Sequence, residues 1–206
     1  MFVLSEFKDV VRITSDLFHL PFKDAIIDEL NSKLANKVVL NVGLCIALYD
    51  IIEIKDSVIL PGDGSSYTEV RFRYIVFRPF IDELIIGKIK SCSSDGVIVT
   101  VGFFDDIIIQ PKDLQHKSRF DEIEQAWIWE YDLGDGTTHD LYMDIGEKIR
   151  FRVTSEIFQE TSPDIGPPTG QPSTSTNADD ALRVAYKITA TICEPGLGLL
   201  SWWNQK

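Results

Sequence analysis

Lys88 and Lys90 lie in a stretch where Ile85, Gly87 and Ile89 alternate with Ile86, Lys88 and Lys90, the two-residue period of a β-strand. Both ammonium groups then project from one face. A turn at Ser94-Asp95-Gly96 leads into Val97, Val99 and Val101, alternating with Ile98 and Thr100 and followed by Phe103-Phe104, which completes a hairpin by period and punctuation. Cations on a strand with aromatic rings beside them suit single-stranded nucleic acid, because charge meets the phosphates and flat rings meet the bases. A second basic strand face, Lys148, Arg150 and Arg152, alternates with Ile149, Phe151 and Val153. Both sets would serve equally as solubilising outer faces, and spacing alone does not separate the two uses. Trp127 and Trp129 point the same way in a strand, as a platform for bases or as a cross-strand aromatic pair.

Catalytic chemistry is not indicated. His19, His116 and His139 are scattered, and the sequence has no H-E-x-x-H, G-x-S-x-G or D-x-D-x-D-G pattern. Asp105 and Asp106 are adjacent and on a strand would face opposite ways, which makes a poor acid-base pair. His139-Asp140 with Asp135 and Asp144 could hold a metal loosely, but an acidic hairpin tip accounts for them. The loop Pro61-Gly62-Asp63-Gly64 lacks the G-x-x-x-x-G-K-[ST] pattern of a phosphate cradle. The expectation is a non-catalytic chain with no metal, no cofactor and no small-molecule substrate.

Charge limits the partners further. The formal net charge is −12, unsuited to wrapping duplex nucleic acid by counterion release. The acid is uneven: residues 1–80 hold 9 basic and 11 acidic side chains, and residues 81–206 hold 11 and 21. From Asp105 to Glu147 twelve acidic residues face only Lys112, Lys117 and Arg119, a solvated face or a surface for a basic partner. Cys45, Cys92 and Cys193 are odd in number and far apart, so neither a disulfide framework nor a zinc site is indicated. No apolar run approaches the roughly 18 residues that span a bilayer, and an intracellular protein without a membrane partner is expected.

The elements that position these residues divide into two domains, 1–80 and 81–206. In the first, Met1 to Ile13 reads as a strand. Phe22, Ile26, Leu30 and Leu34 recur at every fourth position in a helix begun near Pro21. Val38 to Ile54 reads as one long strand bent at Gly43, and Val70, Phe72, Tyr74 and Val76 alternate in another. The expected fold is α+β, a helix on a small antiparallel sheet. In the second domain the hairpin, Asp106 to Gln110, Lys148 to Thr154 and Val184 to Ile192 give the five strands of an all-β barrel of the OB type. An inserted acidic hairpin occupies about 125–146, and residues 161–181, rich in Pro, Ser, Thr and Gly, form a disordered loop inside the barrel domain.

The chain resembles the larger subunit of the two-subunit stalk of archaeal and eukaryotic DNA-directed RNA polymerases, closest to the polymerase III version. The segments that carry this run nearly end to end: L-N-S-K-L-A-N-K-V, L-P-G-D-G, F-R-Y-I-V-F-R-P-F, V-G-F-F-D-D-I-I-I, W-I-W-E-Y, H-D-L-Y-M-D-I-G-E-K-I-R-F-R-V and E-P-G-L-G-L-L-S-W-W. The resemblance implies an N-terminal tip domain and a C-terminal OB domain of the ribosomal S1 type. It implies a smaller helical partner subunit, a place on the RNA polymerase III core in the nucleus, and roles in initiation and in contacting the emerging RNA. The tip loop Pro61, Gly62, Asp63 and Gly64 would face the polymerase body. Lys88, Phe103, Phe104, Lys112, His116, Arg150 and Arg152 would lie on the RNA-holding surface, joined by Lys90 from the hairpin reading. The acidic second half makes any RNA contact weak. Leu199, Leu200, Trp202 and Trp203, apolar and terminal, are expected to dock on the first domain or the partner. The alternative is a free-standing S1-type RNA-binding protein of translation or RNA decay.

Overall fold

The computed structural model describes residues 1–132, 137–159 and 185–203. The turn at Gly134-Asp135-Gly136 and the loop 161–181 lie outside the described residues. Two compact units divide the chain, Met1–Pro79 and Phe80–Lys206.

The first unit is one helix on one face of a four-stranded antiparallel sheet. Its elements are β1 (Phe2–Ile13), α1 (Phe22–Leu34), β2 (Val38–Val39), β3 (Gly43–Ile59) and β4 (Ser66–Phe77), and the spatial order is β1-β4-β3-β2. Strand β4 is central, and its alternating Val70, Phe72, Tyr74 and Val76 are wholly buried beneath Ala25, Ile26 and Leu30 of the helix. Phe22, placed by periodicity on the packed stripe, is 43% exposed; the buried stripe starts one turn later, at Ala25. Phe7 stacks on Phe72 at 5.8 Å. The opposite face of β4 carries Arg71 and Arg73, and the carboxylates of Glu6 and Asp50 on the flanking strands bind them.

The single bent strand expected from Val38 to Ile54 is two strands. Asn41 takes φ +60 and the Val42 N–H donates to Val39 O at 3.0 Å, a tight turn that sends the chain back antiparallel. Gly43 starts β3 instead of bending it: its φ is +132, and a Cβ there would lie 2.6 Å from Phe77 O. Periodicity could not show the break, because the apolar residues continue through it. Four register shifts against β4 coil the long β3 and leave backbone groups off the ladder. One is met by the helix: the Asn31 side-chain oxygen accepts from the Leu48 N–H at 3.2 Å and from the Tyr74 hydroxyl at 3.0 Å.

The second unit is a closed five-stranded barrel with a small sheet inserted. Its strands are β5 (Leu84–Ser93), β6 (Gly96–Thr100), β7 (Ile107–Ile109), β8 (Ser118–Asp121), β9 (Ala126–Asp132), β10 (Thr138–Met143), β11 (Lys148–Phe158), β12 (Tyr186–Thr191) and β13 (Gly198–Leu199), followed by the short α2 (Leu200–Trp203). Neighbours run β12-β7-β6-β5-β11, and the β11–β12 pairing closes the ring. Among the described residues, only β7 and β12 run parallel. Ile89, Val97, Val99, Ile107, Ile109, Phe151, Tyr186 and Ile188 fill the interior at 1% exposure or less. The expected strands around Lys148 and Tyr186 are both present, and the fold class is as the sequence implied.

The insertion is a three-stranded sheet, β10-β9-β8, with β8 added to the expected hairpin. Arg119 on β8 bridges Glu130 of β9 at 2.9 Å and Asp140 of β10 at 2.8 Å. The Trp127 indole N–H donates to Ser93 O at 2.8 Å and fixes the sheet to the end of β5. Cys45, Cys92 and Cys193 are free thiols, and burial pushes the Cys45 thiol up to about 11. No helix among the described residues is long and apolar enough to cross a membrane.

Replacing Asn31 by Ala leaves a strand N–H and a buried phenol without their shared acceptor, at a cost of about 1–3 kcal/mol. Urea unfolding should show this as a lower midpoint with an unchanged m-value. An unaltered midpoint would mean that Asn31 is not the strut between helix and sheet.

Candidate nucleic-acid interface

The two basic strand faces meet on the outer surface of the barrel, across β5 and β11. Register sets Lys148 opposite Lys88, Arg150 opposite Ile86 and Arg152 opposite Leu84, while Ile149 and Phe151 turn inward with Gly87 and Ile85. Among the described residues Lys88, Lys148 and Arg150 form no ion pair. Beside them lies a groove of about 420 Å³ bordered by Ile86, Lys88, Thr100, Val101, Lys148 and Leu200. Unpaired cations along an apolar groove can hold a phosphate backbone and shelter a base face.

The remaining expected residues divide. The Lys90 ammonium lies 2.9 Å from the Asp105 carboxylate, which raises its pKa. The Thr100 hydroxyl, and after it Lys90, hold the Asp105 carboxyl below its ordinary range. Arg152 reaches Glu194 at 2.6 Å. Phe103 is 44% exposed, but Phe104 is 6% exposed, 5.4 Å from the Tyr186 ring. The chain folds back there, Phe104 O accepting from the Val101 N–H at 3.0 Å, so the second ring completes the barrel core. Lys112 borders a separate groove with Ile108 and Lys187 over β7 and β12, and the exposed His116 lies in the turn that follows. Strand period gave the faces correctly; it could not tell which charges a neighbour neutralises.

The tip loop in the first unit is pinned. Pro61, Gly62, Asp63 and Gly64 are exposed, and the Asp63 carboxylate accepts from Arg12 at 2.7 Å and from the Tyr67 hydroxyl at 2.5 Å. Those contacts, Tyr67 first, hold the Asp63 carboxyl low. Val58, Ile59 and Leu60 on the approach are 58%, 60% and 46% exposed, an apolar rim that the turn signal alone did not single out.

At the C-terminus Leu199 is 1% exposed and pairs with Ile149. Its side chain is thus in the core of its own barrel, where an interdomain or partner dock had been expected. Trp202 packs on Trp129 at 5.0 Å, and the Trp203 indole N–H donates to Leu197 O at 3.0 Å. Leu200 is half-buried and Trp203 is 41% exposed. Nothing in the sequence signalled that Leu200 would border the groove, because it comes from a segment over a hundred residues away from β5.

Comparison with known proteins bears on the same two units. Residues 83–203 match the family described as RNA polymerase III subunit Rpc25. The chain belongs to that family. Residues 8–64 match the SHS2 domain found in the N terminus of Rpb7p, Rpc25p and MJ0397, the helix-on-sheet unit described above. The DNA-directed RNA polymerase III subunit RPC8 of Bos taurus is 54% identical over 204 residues, 99% of each chain. The Schizosaccharomyces pombe subunit rpc8 is 44% identical, over 99% of this chain and all of that one. A more distant relative is the archaeal DNA-directed RNA polymerase subunit Rpo7 of Saccharolobus solfataricus, 23% identical over 100% of this chain and 98% of its own. Similarity to Rpc25 relatives therefore spans both units.

Asp105 makes the Rpc25-type barrel acid-sensitive in a stated direction. Its folded pKa lies below the ordinary 3.8, so its stabilising contribution is complete above that value and is lost as pH falls through the lower folded one. Asp105→Asn should narrow the difference between urea midpoints at pH 7 and at pH 3. A difference as wide as in the parent would remove Asp105 from the account.

Proposed function

We propose that this chain is the larger, non-catalytic subunit of the RNA polymerase III stalk. It pairs with a smaller helical subunit and seats the tip loop Pro61, Gly62, Asp63 and Gly64, with its apolar rim, on the polymerase core in the nucleus. There it supports initiation and offers the β5–β11 face to the emerging RNA. The observation that carries this is similarity along 99% of the chain to polymerase III subunits named RPC8. Lys88, Lys148 and Arg150, free of ion pairs among the described residues, support the RNA contact. In a chain of net charge −12 three cations hold RNA weakly, and attachment to the polymerase supplies the effective concentration.

Affinity purification of the tagged full chain, followed by mass spectrometry, should recover one smaller helical protein and the large polymerase III subunits in equal amounts. A stable monomer that retains no polymerase overturns the assignment. Within that complex, Lys88→Glu with Lys148→Glu should leave assembly intact and lower crosslinking to single-stranded RNA. For every phosphate deprived of its cation, the slope of log affinity against log salt should become shallower by about 0.7. Unchanged crosslinking and slope would place the RNA elsewhere.

A further inference from the structure

Leu200 reaches the groove beside Lys88 and Lys148 because the C-terminal segment is locked onto the barrel at four points. Strand β13 pairs Leu199 with Ile149 and Gly198 with Arg150. The Trp202 ring lies directly on Gly198, whose φ is +100 and where a Cβ would come within 2.5 Å of the indole; its other neighbour is Trp129. The Ser201 hydroxyl donates to Glu147 at 3.0 Å, and Trp203 is held by Leu197 O. Leu200 thereby lines, together with Ile86 and Val101, a space of about 420 Å³, near the small end of the roughly 300–1,000 Å³ of ligand sites.

The local charge is opposite to that of the surrounding half. Asp105 is paired with Lys90 and held by Thr100, and the charged side chains that line the groove, Lys88 and Lys148, are both cationic and have no ion-pair partner among the described residues, while the nearby Glu147 keeps its charge as it accepts from Ser201. The walls at Ile86, Val101 and Leu200 are apolar. Thr100, the bordering hydroxyl, already donates to Asp105 and accepts from the Gly102 N–H. Such a site would take a flat apolar face and a phosphate with little regard for base identity.

We propose that this groove is a slot for one nucleotide of single-stranded RNA, with Leu200 as the wall on which the base rests and Trp202 as the positioning residue that holds the wall. The slot rests on the RNA-facing part of the function proposed above. Lys88 and Lys148 take the flanking phosphates, and the C-terminal segment becomes part of the RNA site instead of a docking tail.

The test uses the full chain and a uridine oligonucleotide carrying 5-bromouridine, crosslinked by ultraviolet light at two salt concentrations and mapped by mass spectrometry. The crosslinked peptides should include Leu200 or the Ile86 to Lys88 segment. Leu200→Ala should weaken binding about fivefold, the order expected for losing the aliphatic carbons of one buried contact, with no change in salt slope. Trp202→Ala should do the same with Leu200 untouched, and Trp202→Phe should restore binding. If Trp202→Ala unfolds in a thermal melt, the half-buried Leu200 still decides the matter. Wild-type affinity in the Leu200→Ala variant, with binding still abolished by Lys88→Glu and Lys148→Glu, would overturn the slot and leave the RNA-facing function standing. No crosslinking by the parent chain, and no weakening of binding in the lysine variants, would overturn both.

Discussion

Strand β11 is the constraint on which the second unit depends, because it hydrogen-bonds to three other strands. Its first part, from Lys148 to Arg152, pairs with β5, its later part, from Arg152 to Phe158, with β12, and Ile149 and Arg150 also take β13. A strand has only two edges, so β5 takes one and β13 and β12, sharing the other, must occupy different stretches. The irregularity between Val153 and Ser155 marks where the strand turns the corner that closes the barrel. Barrel closure, the row of outward cations and the seating of the C-terminus are therefore one event. A register slip of one residue would send Lys148 and Arg150 into the core and Ile149 and Phe151 into water.

The net charge of this half is a poor guide to what its surface attracts. Most of the acid from Asp105 to Glu147 belongs to the inserted sheet or to carboxylates that bind an internal partner, as Glu130 and Asp140 bind Arg119. At an ionic strength of 0.15 M, charges farther apart than about 8 Å are largely screened. A phosphate beside Lys88 therefore responds mainly to the charges nearest it, Lys148 across the strand pair and Glu147, whose backbone bonds Ile89, and less to the net charge of the whole half.

Much of this was legible in the sequence, and the reasons are specific. Alternation located β4 and its buried face through Val70, Phe72, Tyr74 and Val76, and it located the barrel strands around Lys88 and Arg150, because a strand with one face in water must alternate. It failed where the apolar pattern ran on through a turn, as at Asn41 and Gly43. It also failed where a side chain's role is fixed by distant residues. Phe103 and Phe104 are indistinguishable as letters, yet one is 44% exposed and the other is buried against Tyr186. Lys88 and Lys90 share a face, and among the described residues only Lys90 meets a carboxylate. Leu200 reaches the groove through pairing that no local pattern encodes.

The tip loop is held in shape before it meets anything. Arg12 and Tyr67 converge on Asp63, so the backbone from Pro61 to Gly64 is anchored at its midpoint. A free loop of such glycine-rich composition would lose conformational freedom on docking, roughly 1–2 kcal/mol per residue fixed. Here that ordering was completed when the domain folded. A surface that received the loop, as proposed above, would therefore meet a preorganised edge, and with Asp63 neutralised internally the exposed Val58, Ile59 and Leu60 would supply an adhesion that added salt does not dissolve.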